Sequence, residues 1–205
     1  MEVERVGRLV TIERARIWLV RHGETEWTLS GQHTGRTDIP LTPVGRRQAE
    51  ALGRHLAARS FALVLTSPLA RARETCRLAG HGSLAQIADD LREWDYGIYE
   101  GRTTAAIRAT EPGWSIWTSP IPGGESLEQV GGRARHIIDR ALVAGGEVAL
   151  FGHGHILRIL AACWIGRPPA DGRLLALDPG SIGVLGWERE TRLIQQWNLA
   201  WPSDP

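Results

Sequence analysis

Two strings in this sequence each place a histidine between an apolar run and a glycine. The first is Ile17-Trp18-Leu19-Val20 followed by Arg21-His22-Gly23-Glu24-Thr25. The second is Val148-Ala149-Leu150-Phe151 followed by Gly152-His153-Gly154-His155. A short apolar run with polar flanks reads as a buried strand and is too short to span a membrane. Each strand then delivers a histidine to its carboxyl end, where open α/β sheets bind ligands. An imidazole beside a permanently cationic arginine is suited to attack an anionic ester. Gly23 is expected to let the chain turn sharply after His22.

Two further strings supply what such chemistry lacks. In Ser67-Pro68-Leu69-Ala70-Arg71-Ala72-Arg73-Glu74-Thr75, Arg71 falls in the first turn of an expected helix. Free backbone N–H groups and the helix dipole favour an anion there. Arg73 reads as a solvated charge. In Leu91-Arg92-Glu93-Trp94-Asp95-Tyr96-Gly97-Ile98-Tyr99-Glu100-Gly101, three carboxyls lie among aromatics. A carboxyl so placed suits a general acid. The spacing of His153 and His155 also permits a metal reading. No cysteine or carboxylate cluster completes a coordination shell, so no metal is expected.

The elements that must position these strings alternate. Thr42-Pro43 opens a helix with Thr as N-cap and Pro at its first position. Phe61 to Leu65 is a second strand, and Ser67-Pro68 repeats the cap-and-proline start for a helix ending near Gly80. Ser126 opens a helix with Leu127, Val130, Ala134, Ile137, Ile138 and Leu142 on one face. Ile156 to Ile165 is a helix stopped by Gly166 and Pro168. Ser181 to Trp187 and Leu193 to Trp197 read as a closing strand pair. Strands alternating with helices imply parallel βαβ units and an α/β class. Residues 101–125, rich in proline and glycine, read as an insertion over the site.

Bulk properties exclude other classes. The chain has 205 residues, 42% hydrophobic and 23% charged, with a net charge of +1. Those values suit one soluble domain and give no support for nucleic-acid or membrane partners. All 24 basic side chains are arginine, each a planar fork suited to oxyanions. Cys76 and Cys163 lack zinc or disulfide spacing and read as free core thiols. The first sixteen residues are charged and lack a signal-like apolar core, so a cytoplasmic location is expected.

In this order, the four strings resemble the histidine phosphatase superfamily, also called phosphoglycerate mutase-like, from about Ile17 to Trp197. The resemblance implies a three-layer α/β/α sandwich with a mostly parallel central sheet, spanning residues 17–205 after an N-terminal extension of residues 1–16. It implies that His22 is the phosphorylated nucleophile, that Arg21, Arg71 and His153 form the phosphate pocket, and that Glu93 is the proton donor. Thr34-Gly35 looks like the family's substrate-contacting turn. Thr28 stands where many members carry asparagine, and its hydroxyl is expected to replace that amide in part. Tyr96 and His155 are expected to line the substrate entrance.

Trp114-Ser115-Ile116-Trp117, Gly123-Gly124-Glu125-Ser126 and Gly152-His153-Gly154-His155 resemble the branch with broad acid phosphatases and sugar bisphosphatases. The resemblance thus implies hydrolysis of small phosphorylated metabolites, sugar phosphates first, through a phosphohistidine and without a cofactor. A cofactor-dependent phosphoglycerate mutase would use the same intermediate. The short 101–125 segment favours the phosphatase. A non-catalytic phospho-ligand module is disfavoured because no catalytic position is lost.

Overall fold

A computed structural model describes residues 13–201. The first twelve residues of the expected extension lie outside that range. Six strands form one sheet in the order β3-β2-β4-β1-β5-β6. They are β1 (Arg16–Arg21), β2 (Leu63–Thr66), β3 (Gln86–Ile87), β4 (Glu147–Gly152), β5 (Ile182–Glu188) and β6 (Thr191–Leu199). β1, β4, β2 and β3 run parallel, while β5 is antiparallel to both β1 and β6. The sheet is therefore mostly parallel, as expected.

Helices cover both faces, and the period-two alternation of the strands shows why. Ile17 and Leu19 of β1, with Val148 and Leu150 of β4, join a core that includes Ile137 and Ile156. Those partners lie on α5 (Leu127–Ala144) and α6 (Gly154–Trp164). Trp18 and Val20, with Ala149 and Phe151, face a second core holding Leu52 and Cys76. These belong to α2 (Pro43–Leu56) and α3 (Ala70–Leu78). A strand buried on both faces must be apolar throughout, which is why these runs show no polar alternation. Leu150 is fully buried, and cutting it to alanine should cost about 2–5 kcal/mol.

Several element bounds differ from the sequence reading. Two short helices, α1 (Glu26–Ser30) and α4 (Thr104–Arg108), and the two-residue β3 carry no readable periodicity. α6 starts at Gly154, two residues earlier than expected, with His153 as its N-cap residue. The helix after Ser67-Pro68 begins only at Ala70, and its N-cap Leu69 offers no side-chain bond. Asp38 supplies the missing cap from a distant loop, accepting from the Ala70 N–H at 2.8 and 3.1 Å. Ser67 is engaged elsewhere, as described below.

Candidate active site

β1 and β4 are paired with Arg21 opposite Gly152, so the residues that follow each strand emerge side by side. The rings of His22 and His153 meet edge to face, 5.1 Å between centroids. Both side chains are buried. Gly23 has no positive φ, so a sharp turn is not its reason. A Cβ there would lie 2.2 Å from the Gly45 carbonyl oxygen of α2. Glycine is required because the loop after His22 is pressed against that helix. Thr75 of α3 fastens the same loop, accepting from the Gly23 N–H at 3.2 Å.

The His22 Nδ1–H donates to the Gly23 carbonyl, 2.7 Å away. In a neutral ring this leaves the Nε2 lone pair unprotonated and, among the described residues, unpartnered. Burial is the main cause that holds the His22 pKa well below the usual histidine range, with Arg71 and Arg21 adding to it. Desolvation is thus a larger cause of its neutrality than the neighbouring arginines.

Arg71 is fully buried, whereas Arg73 is exposed, in line with the sequence reading. The Arg71 Nε donates to His153 Nδ1 at 3.1 Å. Its other nitrogens donate to the carbonyls of Thr34, Gly35 and Thr37 at 2.9–3.1 Å. His153 thus carries its proton on Nε2, which donates to Ser67 Oγ at 2.7 Å. Burial, and then Arg71, push its pKa well below the usual range. Arg21 donates from Nη1 to the Leu177 carbonyl, and its buried Nε has no partner. The Arg21 guanidinium lies over Gly154, the first residue of α6.

Glu93 accepts three backbone N–H groups: Trp94 and Ile156 on Oε1, each at 3.0 Å, and His155 on Oε2 at 2.9 Å. Two of these donors belong to the first turn of α6, so Glu93 caps the helix that follows His153. Glu93 and Gly35 border a cavity of about 330 Å³. Tyr96 Oη bonds His155 Nδ1 at 2.7 Å, and the His33 ring packs on Tyr96 at 4.9 Å. Residues 101–125 flank this corner: Trp114 packs on His33 at 5.4 Å and Trp117 on His155 at 5.1 Å.

Thr34 and Gly35 sit in a turn that Arg71 holds from one side and Glu100 from the other. Glu100 Oε1 accepts from the Gly35 and Thr37 N–H groups at 2.8 and 3.0 Å. A Cβ on Gly35 would lie 2.6 Å from the Trp94 carbonyl oxygen, so only glycine fits. Thr28 is placed differently from the expectation that its hydroxyl serves a phosphate. Its Oγ1 accepts from the Thr25 N–H and donates to the Thr25 carbonyl, closing the capping box of α1. Sequence reasoning missed Ser67, Asp38 and Glu100 as organisers of the site. Among the described residues no three His, Cys, Asp or Glu side chains form a group that could hold a metal ion.

The model of the histidine phosphatase superfamily (branch 1) matches residues 17–200. The chain belongs to that family. It is 38% identical over 198 residues to an acid phosphatase of Mycobacterium tuberculosis, covering 95% of this chain and 97% of the relative. It is 37% identical to sedoheptulose 1,7-bisphosphatase of Saccharomyces cerevisiae, covering 72% and 66% respectively. The solved structure of a mycobacterial glucosyl-3-phosphoglycerate phosphatase superposes with a TM-score of 0.81 at 29% identity, covering 91% of this chain and 100% of that one. The chain is an enzyme of the histidine phosphatase superfamily, and these relatives are phosphatases.

Proposed function

We propose that the protein hydrolyses phosphomonoesters of small metabolites, sugar phosphates among them, by way of a phosphate carried on His22 Nε2. The observation that carries this reading is the tie between His22 Nδ1 and the Gly23 carbonyl. It orients a neutral ring with its free lone pair beside the buried Arg71 and the partly buried Arg21. The attack forms the Nε2–P bond and breaks the ester P–O bond. Glu93 gives a proton to the departing alkoxide, then accepts one from the water that releases phosphate. Arg21, with an unpartnered buried Nε, and Arg71 stabilise the charge on the transferring oxygens. In this scheme His153 holds the Arg71 guanidinium in place through Nδ1. No metal or organic cofactor is called for.

The M. tuberculosis acid phosphatase and the yeast bisphosphatase support the hydrolase reading, as does the short 101–125 segment. Two free cysteines, Cys76 and Cys163, support a reducing, cytoplasmic setting. Among the described residues no helix is long and apolar enough to cross a membrane. The test is a phosphate-release screen over sugar phosphates alongside phosphoglycerate isomerisation. Net release from sugar phosphates with little isomerisation is expected. Fast isomerisation primed by a bisphosphoglycerate, with negligible release, would reverse the reading in favour of a mutase.

A further inference from the structure

The side of the site where an alcohol must leave mixes paired and unpaired charge. Three arginines border the cavity beside Glu93, and each is tied to a carboxylate: Arg36 to Asp95 at 2.7 Å, Arg92 to Asp89 at 2.8 Å, and Arg133 to Glu125 at 2.8 Å. Arg158, which acts on His155, is held instead by the Gly172 and Arg173 carbonyls. Charge alone therefore does not choose the alcohol, and the hydrogen-bonding groups must.

The His155 Nδ1 lies 3.9 Å from Oε2 of the proposed acid, Glu93. Tyr96 is buried, and among the described residues its hydrogen-bond partner is His155 Nδ1. If the phenol accepted from His155, its own proton would be left buried without an acceptor, which native structures avoid. Tyr96 therefore donates, and the imidazole proton resides on Nε2. That Nε2 has no partner among the described residues, and the side chain keeps 18% exposure. Burial holds the phenol in its protonated form and the imidazole in its neutral form.

Resting on the phosphatase reading, we infer that Tyr96 locks His155 as a fixed, uncharged hydrogen-bond donor on the leaving-group side. The site then favours esters whose alcohol carries an oxygen within reach of that donor. His155 is the specificity residue, and Tyr96 is a positioning residue that acts through it.

The test compares kcat/KM for glucose 6-phosphate and p-nitrophenyl phosphate in the full-length enzyme. His155→Leu keeps the backbone N–H that Glu93 accepts but removes the side-chain donor. It should lower the glucose 6-phosphate to aryl phosphate ratio about fivefold, the usual range for one hydrogen bond, and do so through KM. His155→Gln, which restores an N–H donor, should recover most of that ratio. Tyr96→Phe should reproduce part of the loss. Equal losses on both monoesters, or no rescue by glutamine, would overturn the inference. Phosphate trapping on His22 in the same samples separates the two layers. Without that label the phosphatase reading itself fails; with it, an unchanged ratio condemns the specificity proposal alone.

Discussion

His22 and His153 come from neighbouring parallel strands, in near-identical contexts, and end 5.1 Å apart. Both are buried, and both are held neutral by desolvation and cationic neighbours. They differ in what holds their nitrogens. His22 uses one, toward its own chain neighbour Gly23. His153 uses both, one toward Arg71 and one toward Ser67. A nucleophile needs an unengaged lone pair, and only the first histidine has one. Equal burial and nearly equal sequence context thus yield one ring with a free lone pair and one with none, with the hydrogen-bond partners making the difference.

That contrast breaks most sharply at the nucleophile. His22→Ala should reduce turnover to background, whereas Ser67→Ala, which touches only the second ring, should leave an active enzyme; steady-state assays check both. Glu93→Gln should slow sugar phosphates by roughly 10²–10⁴-fold, the usual scale for a general acid. It should slow an activated aryl phosphate far less in single-turnover phosphorylation, because that phenolate leaves without a proton. A merely structural effect would strike both substrates alike. Ser67→Ala should raise KM by roughly tenfold, since it leaves the buried His153 Nε2–H without its acceptor and loosens the mount of Arg71. No rise in KM would show that His153 does not anchor the clamp.

Protonation sharpens the same comparison. His22, His153 and His155 have folded pKa values depressed below the unfolded value near 6.5, so the unfolded chain binds protons that the folded chain refuses. Stability is therefore full above that value and falls as pH drops beneath it. Each such histidine contributes a slope of about 1.4 kcal/mol per pH unit until its folded pKa is reached. Thermal melts of wild type should decline from pH 7 to pH 5, and His153→Asn should flatten the decline. Kinetically, protonation of His22 should place its acid limb of kcat/KM well below pH 6.5, because the ring stays unprotonated until its depressed pKa is reached. The smallest expected effect is that of a chelator: exhaustive treatment should leave turnover unchanged, and a loss restored by one divalent ion would favour a metal role for His153 and His155.

The regular half of the molecule was the legible half. Apolar runs of four residues located β1 and β4, and the polar residues after them located His22 and His153. Arg71 was separable from Arg73 by its place in a helical turn. What stayed hidden joins residues distant in sequence. Ser67 reads locally as a helix cap, yet its hydroxyl serves a ring 86 residues away. The true cap of that helix, Asp38, comes from a loop with no periodicity. Thr28 matched a family position, but its hydroxyl is drawn into a local capping box, which a one-residue resemblance could not reveal. Glu93, Asp95 and Glu100 looked alike as carboxyls among aromatics, and only the family resemblance singled out Glu93. That its oxygens cap the helix leading from His153 depends on packing between two of the strings.

The central claim, that His22 Nε2 alone carries the phosphate, is tested most directly by trapping it. Enzyme mixed with a radiolabelled phosphomonoester, quenched in base within one turnover and mapped by peptide sequencing, should carry base-stable, acid-labile phosphate on His22. The same label should be absent from His22→Ala. Label on His153 or any other residue, in an enzyme still active as His22→Ala, would contradict the account.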